Sequence, residues 1–190
     1  MKVNSICGYD WWLTTWLMSG SFPTTSPPHD KTINLKPLAD SDILYLNLHG
    51  YEGKAHYKGQ RQSKGEWPVI LTPENVSAVK WQNTVVYAEV CYGAADRPEN
   101  REMAKAFLQN GCSAFVGSLT DAYGSVIPTF LLDGKADRLG KFFVYGIKKY
   151  KDPHKALKFA KKYLRLISYP LDKRDKETLE SFVVLETKNI

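Results

Sequence analysis

Long hydrophobic runs are missing from this 190-residue chain, and no stretch approaches the roughly 20 apolar residues that a membrane-spanning helix needs. The nearest candidate, Trp11-Trp12-Leu13-Thr14-Thr15-Trp16-Leu17-Met18, is short, follows Asp10 and leads to no small-residue cleavage pattern, so a signal peptide is not expected. Cysteine is scarce as well. Cys7, Cys91 and Cys112 are an odd and sparse set, which argues against a disulfide framework and for a reducing compartment, with cytoplasm as the default. The close His/Cys pair spacings of zinc sites are lacking, since Cys7, Cys112, His29, His56 and His154 stand far apart, and no metal or other cofactor is expected. Gly50-Tyr51-Glu52-Gly53-Lys54 lacks both the spacing and the Lys-Ser/Thr ending of a phosphate loop. Repeats and low-complexity tracts are absent. Acidic residues are outnumbered, 20 Asp and Glu against 26 Lys and Arg, for a net charge of +6, and the excess lies in the last third. What remains, 43% hydrophobic and 24% charged, is ordinary for a soluble domain, and the length suits one well-buried core, read as a single domain over residues 1–190.

Two apolar runs organise the chain. Thr84-Val85-Val86-Tyr87-Ala88-Glu89-Val90-Cys91-Tyr92-Gly93 reads as a buried strand that delivers a thiol to its carboxyl end. Asp42-Ile43-Leu44-Tyr45-Leu46-Asn47-Leu48-His49-Gly50 has the same design and ends at an imidazole beside a glycine. In an open α/β sheet the carboxyl ends of the strands face the crevice where ligands bind. If the two runs are parallel neighbours, His49 and Cys91 meet at one edge as a base and its nucleophile.

The other segments are read as follows. Lys2 to Ile6 is a short first strand, and Asp10 caps a helix whose inner face is Leu13, Trp12 and Trp16. Residues 19 to 30 hold too many turn formers for regular structure and read as a loop, followed by a short strand around Ile33 and Leu35. Gly50 to Glu66, rich in glycine, is a long loop or hairpin beside the site, and Thr72-Pro73 opens a short helix. Helices are expected over Pro98 to Asn110, Ala136 to Tyr150 and Pro153 to Ile167, with strands at Ser113 to Ser118 and Ser181 to Leu185. Strands alternating with helices in this way imply an α/β fold with a mainly parallel sheet and helices on both faces.

The order and content of these blocks resemble the caspase-like cysteine peptidases, a group that includes caspases, metacaspases, legumain, clostripain, gingipains and the CHAT domains. The likeness rests on Leu44 to His49-Gly50, on Val85 to Cys91 and on the 42 positions between histidine and cysteine, near the roughly 50 of caspases. Met103 to Ser118, with its helix, Gly111 turn and Ala-Phe-Val-Gly-Ser strand, is similar to the gingipain and CHAT branch. It covers roughly residues 40 to 165. The resemblance implies a cysteine endopeptidase. Cys91 would attack the scissile carbonyl as a thiolate, in a setting that lowers its pKa, and His49 would protonate the leaving amine. Backbone N–H groups of Gly50 and Cys91 would hold the oxyanion, the glycine allowing close approach. No third orienting residue can be named.

Glu89, two positions before Cys91, shares its face of the strand. A carboxylate there is costly without a partner. In metacaspases and legumain the corresponding residue is acidic and lines the pocket for the residue preceding the cut bond. By resemblance Glu89 would select Arg or Lys, or asparagine as in legumain; the other reading pairs it with Arg97 or a lysine inside the protein. Asp121 and Asp133 are further pocket candidates. Val90 departs from the small residue common in relatives. The resemblance also implies regulation, by an activating protein partner or by cleavage within Gly53 to Gly65 or Asp121 to Asp137.

Two other classes stay open. One is a catalytically idle interaction module that keeps the fold within a larger assembly. The other is a basic polyanion-binding domain, suggested by Lys141, Lys148, Lys149, Lys151, Lys155, Lys158, Lys161, Lys162 and Arg165. A solvated outer helix face explains these lysines at least as well, which weighs against nucleic acid as a partner.

Overall fold

The computed structural model describes residues 1–124 and 135–190. Its centre is made by the two runs singled out above, whose β-branched and aromatic residues suit a pleated, doubly covered surface. They form β3 (Ile43–Asn47) and β6 (Val85–Glu89), every residue of both buried. The remaining strands of the sheet are β1 (Val3–Gly8), β2 (Thr24–Ser26), β7 (Ala114–Ser118) and β8 (Phe182–Leu185), in the order β2-β1-β3-β6-β7-β8. All neighbours are parallel except β7 and β8, which run antiparallel. A small antiparallel pair, β4 (Tyr57–Lys58) with β5 (Val69–Leu71), stands apart within the segment after His49.

Alternation along the strands divides the side chains between two cores. Leu44, Leu46, Val86, Ala88 and Val90 point to the layer of α2 (Pro73–Ser77) and α3 (Pro98–Gln109), where Val76, Met103 and Phe107 cover them. Ile43, Tyr45, Val85 and Tyr87 point the other way, to Met18 of α1 (Trp12–Ser19) and to Leu139, Phe143, Leu157 and Leu164 of α4 (Lys135–Tyr150) and α5 (Pro153–Ile167). Each fully buried Phe or Leu contributes roughly 1.5–3 kcal/mol. The ends are well signalled. Thr72 and Asn75 form a reciprocal capping box on α2, and the Asp152 carboxylate accepts from Lys155 N–H at 2.9 Å at the start of α5. Gly111 follows α3 at φ +107°, and a Cβ there would collide with the Trp81 carbonyl.

Several local expectations are corrected. The inner face of α1 is Thr14, Thr15, Met18 and Ser19, while Trp12 and Trp16 lie outward at 42% and 36% exposure. Small residues win that face because α1 packs closely on β1 and α4. Asp10 does not cap; its carboxylate accepts from the Gln62 N–H at 2.8 Å. The loop expected over residues 19–30 contains β2, which pairs with β1 from Ile6 to Gly8. Ile33 and Leu35 form no strand, although Leu35 is buried. A helix unforeseen in the sequence, α6 (Lys173–Ser181), follows α5, with Asp172 and Asp175 in a capping box.

Candidate active site

The β3 and β6 registers run Ile43 with Val85 to Asn47 with Glu89, so the same offset carried two residues further sets His49 level with Cys91. Both leave the carboxyl edge of the sheet. The ladder itself stops just short of them: Leu48 N–H reaches the Glu89 carbonyl at 3.4 Å, and beyond it neither Gly50 nor Cys91 N–H has a backbone acceptor among the described residues. Gly50 packs directly on the Cys91 backbone. A Cβ on Gly50 would overlap the Cys91 carbonyl oxygen and a methyl of Val90, so only glycine lets the two rims approach. Val90 itself turns away from the site and is fully buried in the α2/α3 core.

Loops from four strand ends furnish this edge. Trp11, just after β1, and Trp67, in the loop before β5, flank the His49 ring with centroids at 4.6 and 4.7 Å. His49 Nε2 meets Gln60 Oε1 in a short hydrogen bond. Gln60 is itself anchored, its N–H donating to the Ser26 carbonyl at 3.0 Å and its carbonyl accepting from Asp10 N–H at 3.3 Å. It is the orienting residue that could not be named in advance, because its position depends on β2 and on the folding back of the segment after His49. With Nε2 donating to the amide oxygen, the neutral ring presents an unprotonated Nδ1. Burial holds the imidazole below its usual pKa, with Gln60 and the Asp10 charge opposing that.

Cys91 is half-buried, whereas Cys7 and Cys112 are buried and their thiols are pushed far up by burial. Ala122, beyond β7, donates its N–H to Cys91 Sγ at 3.3 Å. The segment after the cysteine is fastened to the same neighbour, Tyr92 N–H to the Thr120 carbonyl at 2.8 Å and Ala94 N–H to the Ser118 carbonyl at 2.8 Å. The environment does not lower the thiol pKa as the resemblance implied. Burial raises it, and Asp121 and Glu89 add to the rise against the Ala122 N–H. The turn after β6 separates Cys91 from the start of α3 at Pro98. Both shifts favour a neutral thiol beside a neutral imidazole near pH 7.

Glu89 is 2% exposed and accepts from the Tyr45 hydroxyl at 2.6 Å. It is not paired with Arg97, which reaches Glu52 instead. Its close neighbour is a second buried acid, Asp137 of α4, and burial first, then that acid, drive the Glu89 carboxyl well above its usual pKa. Asp137 was not foreseen as part of the site. The cations beside it on α4 are committed elsewhere: Lys135 pairs with Asp172 and Asp175 at 3.2 and 3.3 Å, and Arg138 lies 3.9 Å from Asp175. Gly124 faces the Glu89 carboxylate, where a Cβ would stand 2.8 Å from Oε1. Asp121 is exposed and acts on the Cys91 thiol itself. Asp133 lies outside the described residues.

Among the described residues no group of three or more His, Cys, Asp or Glu side chains could hold a metal ion, and no helix is long and apolar enough to cross a membrane.

No protein-family model and no curated protein matches this sequence. Among solved structures, the Saccharomyces cerevisiae separase–securin complex matches with a TM-score of 0.56 at 14% identity, over 97% of this chain. The chain spans about 12% of the length of that matched chain. The fold is therefore the caspase-like α/β fold, shared with separase, with its six-stranded, mostly parallel sheet.

Proposed function

We propose that this chain is a cysteine endopeptidase with a Cys91–His49 dyad that cuts after a basic residue. The observation that carries the reading is the β3/β6 register, which sets the histidine and the cysteine level at one rim with Gly50 seated on the Cys91 backbone. In the reaction His49 takes the Cys91 proton, and the thiolate adds to the scissile carbonyl carbon. The N–H groups of Gly50 and Cys91, without a backbone acceptor among the described residues, receive the developing oxyanion, which is worth the most where water is excluded. As the C–N bond breaks, the imidazolium gives its proton to the leaving amine. Water, deprotonated by His49, then cleaves the thioester and restores the thiol.

A basic residue is favoured by the Glu89–Asp137 acids. An arginine or lysine entering past Gly124 would displace the proton that the raised pKa favours on Glu89 and supply the cation that Glu89 lacks among its described neighbours. A protein or peptide is then the substrate, and an activating partner fits the resting neutrality of the dyad. Cleavage of an arginyl-coumarin peptide by the wild type, absent from Cys91→Ala, tests the reading. One observation favours a catalytically idle interaction module instead: among the described residues nothing near Cys91 stabilises a thiolate except one backbone N–H. Such a module would leave every peptide intact.

A further inference from the structure

One concave surface shares no residue with the Cys91 rim. It is a groove of about 670 Å³ at the lateral edge of the sheet, between α5 and β8. Its floor is aliphatic, made by Leu157 and Leu166 of α5 and by Val183 and Val184 of β8. Leu166 is 63% exposed and its neighbour Ile167 49%, an apolar surface left in water at the helix end. β8 is the last strand of the sheet, so among the described residues one of its backbone edges has no strand beside it.

The rim carries charge of one sign. Lys158, Lys161, Lys162 and Arg165 follow one another at i, i+3, i+4 and i+7, one stripe of the helix. None of the four has an ion-pair partner among the described residues, although pairs form close by, His154 with Glu186 at 3.3 Å and Lys188 with Glu186 at 2.9 Å. Like charges at this spacing weaken an isolated helix. Burial and the Arg165 charge hold Lys161 below its usual pKa, with Glu180 opposing.

We propose that this groove is a docking site for an acidic protein segment that also carries aliphatic side chains. The floor takes the aliphatic groups, and the four cations take the carboxylates. Charge complementarity selects this occupant over a second copy of the chain, because two such grooves would bring eight cations together. The floor selects it over nucleic acid, since four aliphatic side chains offer no aromatic platform for bases.

The test is binding to the full 190-residue chain carrying Cys91→Ala, which prevents cleavage of the probe. Four probes are compared by fluorescence anisotropy or flotation: a short peptide of glutamate mixed with leucine and valine, the same peptide with serine for the aliphatic residues, a DNA duplex, and phosphatidylserine vesicles. The mixed peptide is expected to bind at least about tenfold more tightly than the serine peptide. Lys162→Glu with Arg165→Glu, both exposed positions, should weaken it by more than about tenfold, and Leu166→Ser by several-fold. Equal binding of the serine peptide, tighter binding of DNA or vesicles, indifference to Leu166→Ser, or no binding of the mixed peptide would each overturn the proposal.

Discussion

Tyr45 and Glu89 sit on neighbouring strands and are joined by a 2.6 Å hydrogen bond in which the phenol donates to a carboxylate that is almost wholly buried. Their ring and chain positions follow from the register, Tyr45 opposite Tyr87 and Asn47 opposite Glu89. Among the described residues, that bond and Asp137 are what Glu89 has in place of a cation, and the consequences can be measured.

The first concerns stability against pH. The folded carboxyl of Glu89 has a raised pKa, while the unfolded one titrates near 4.3. The native state thus keeps a proton that the unfolded state releases, so this contribution is complete below the unfolded value and is lost as pH rises toward the folded one. Glu89→Gln removes the titration but keeps an acceptor for Tyr45. Its melting temperature should exceed that of the wild type at pH 7–8 by about 2–4 °C per kcal/mol relieved, and the gap should close toward pH 4. In a peptide assay the same variant should lose its preference for arginine over a neutral residue.

Gln60→Glu tests the orientation of the imidazole. A carboxylate facing Nε2 should raise the His49 pKa by on the order of one unit, read from the ring protons by NMR. The acid limb of any hydrolysis should move to higher pH with it, because the neutral ring is the base that accepts the thiol proton. A Gln60 that is only structural would leave the titration where it was.

Cys91 should react slowly with iodoacetamide at pH 7 and ever faster as the pH is taken above 9, since burial, Asp121 and Glu89 all raise its pKa. Cys7 and Cys112 are buried and should stay unlabelled until the chain unfolds. Asp121→Asn removes one of the charges and should shift the profile to lower pH, as mass spectrometry would show.

Gly50→Ala should be felt in the fold as well as the site. The added methyl meets the Cys91 carbonyl and Val90, backbone and packed core rather than a movable side-chain tip. A loss of roughly 1–3 kcal/mol is expected, seen as a lower midpoint in urea.

Much of this was readable from the chain. β3 and β6 were legible because each is an apolar run with one abrupt polar end, and α5 because Ala156, Leu157, Ala160 and Leu164 recur at helical spacing behind Asp152. The side chains that complete the rim were not. Gln60 reaches His49 through a turn fixed by Ser26 on β2, and Thr24–Ser26 reads as loop beside three prolines. Asp137 reaches Glu89 from α4, which covers that face of the sheet, a contact with no local trace. Trp12 and Trp16 misled for the opposite reason: apolar bulk signals burial, yet α1 needed small residues to sit close to β1.

The dyad is tested most directly by intact-mass labelling with a peptidyl acyloxymethyl ketone ending in arginine, applied to wild type, Cys91→Ala and His49→Ala. Wild type is expected to gain one adduct, mapped to Cys91, with none in either variant and far less when aspartate replaces arginine in the probe. Equal labelling of Cys91→Ala, or labelling of His49→Ala as fast as wild type, would contradict a Cys91–His49 peptidase.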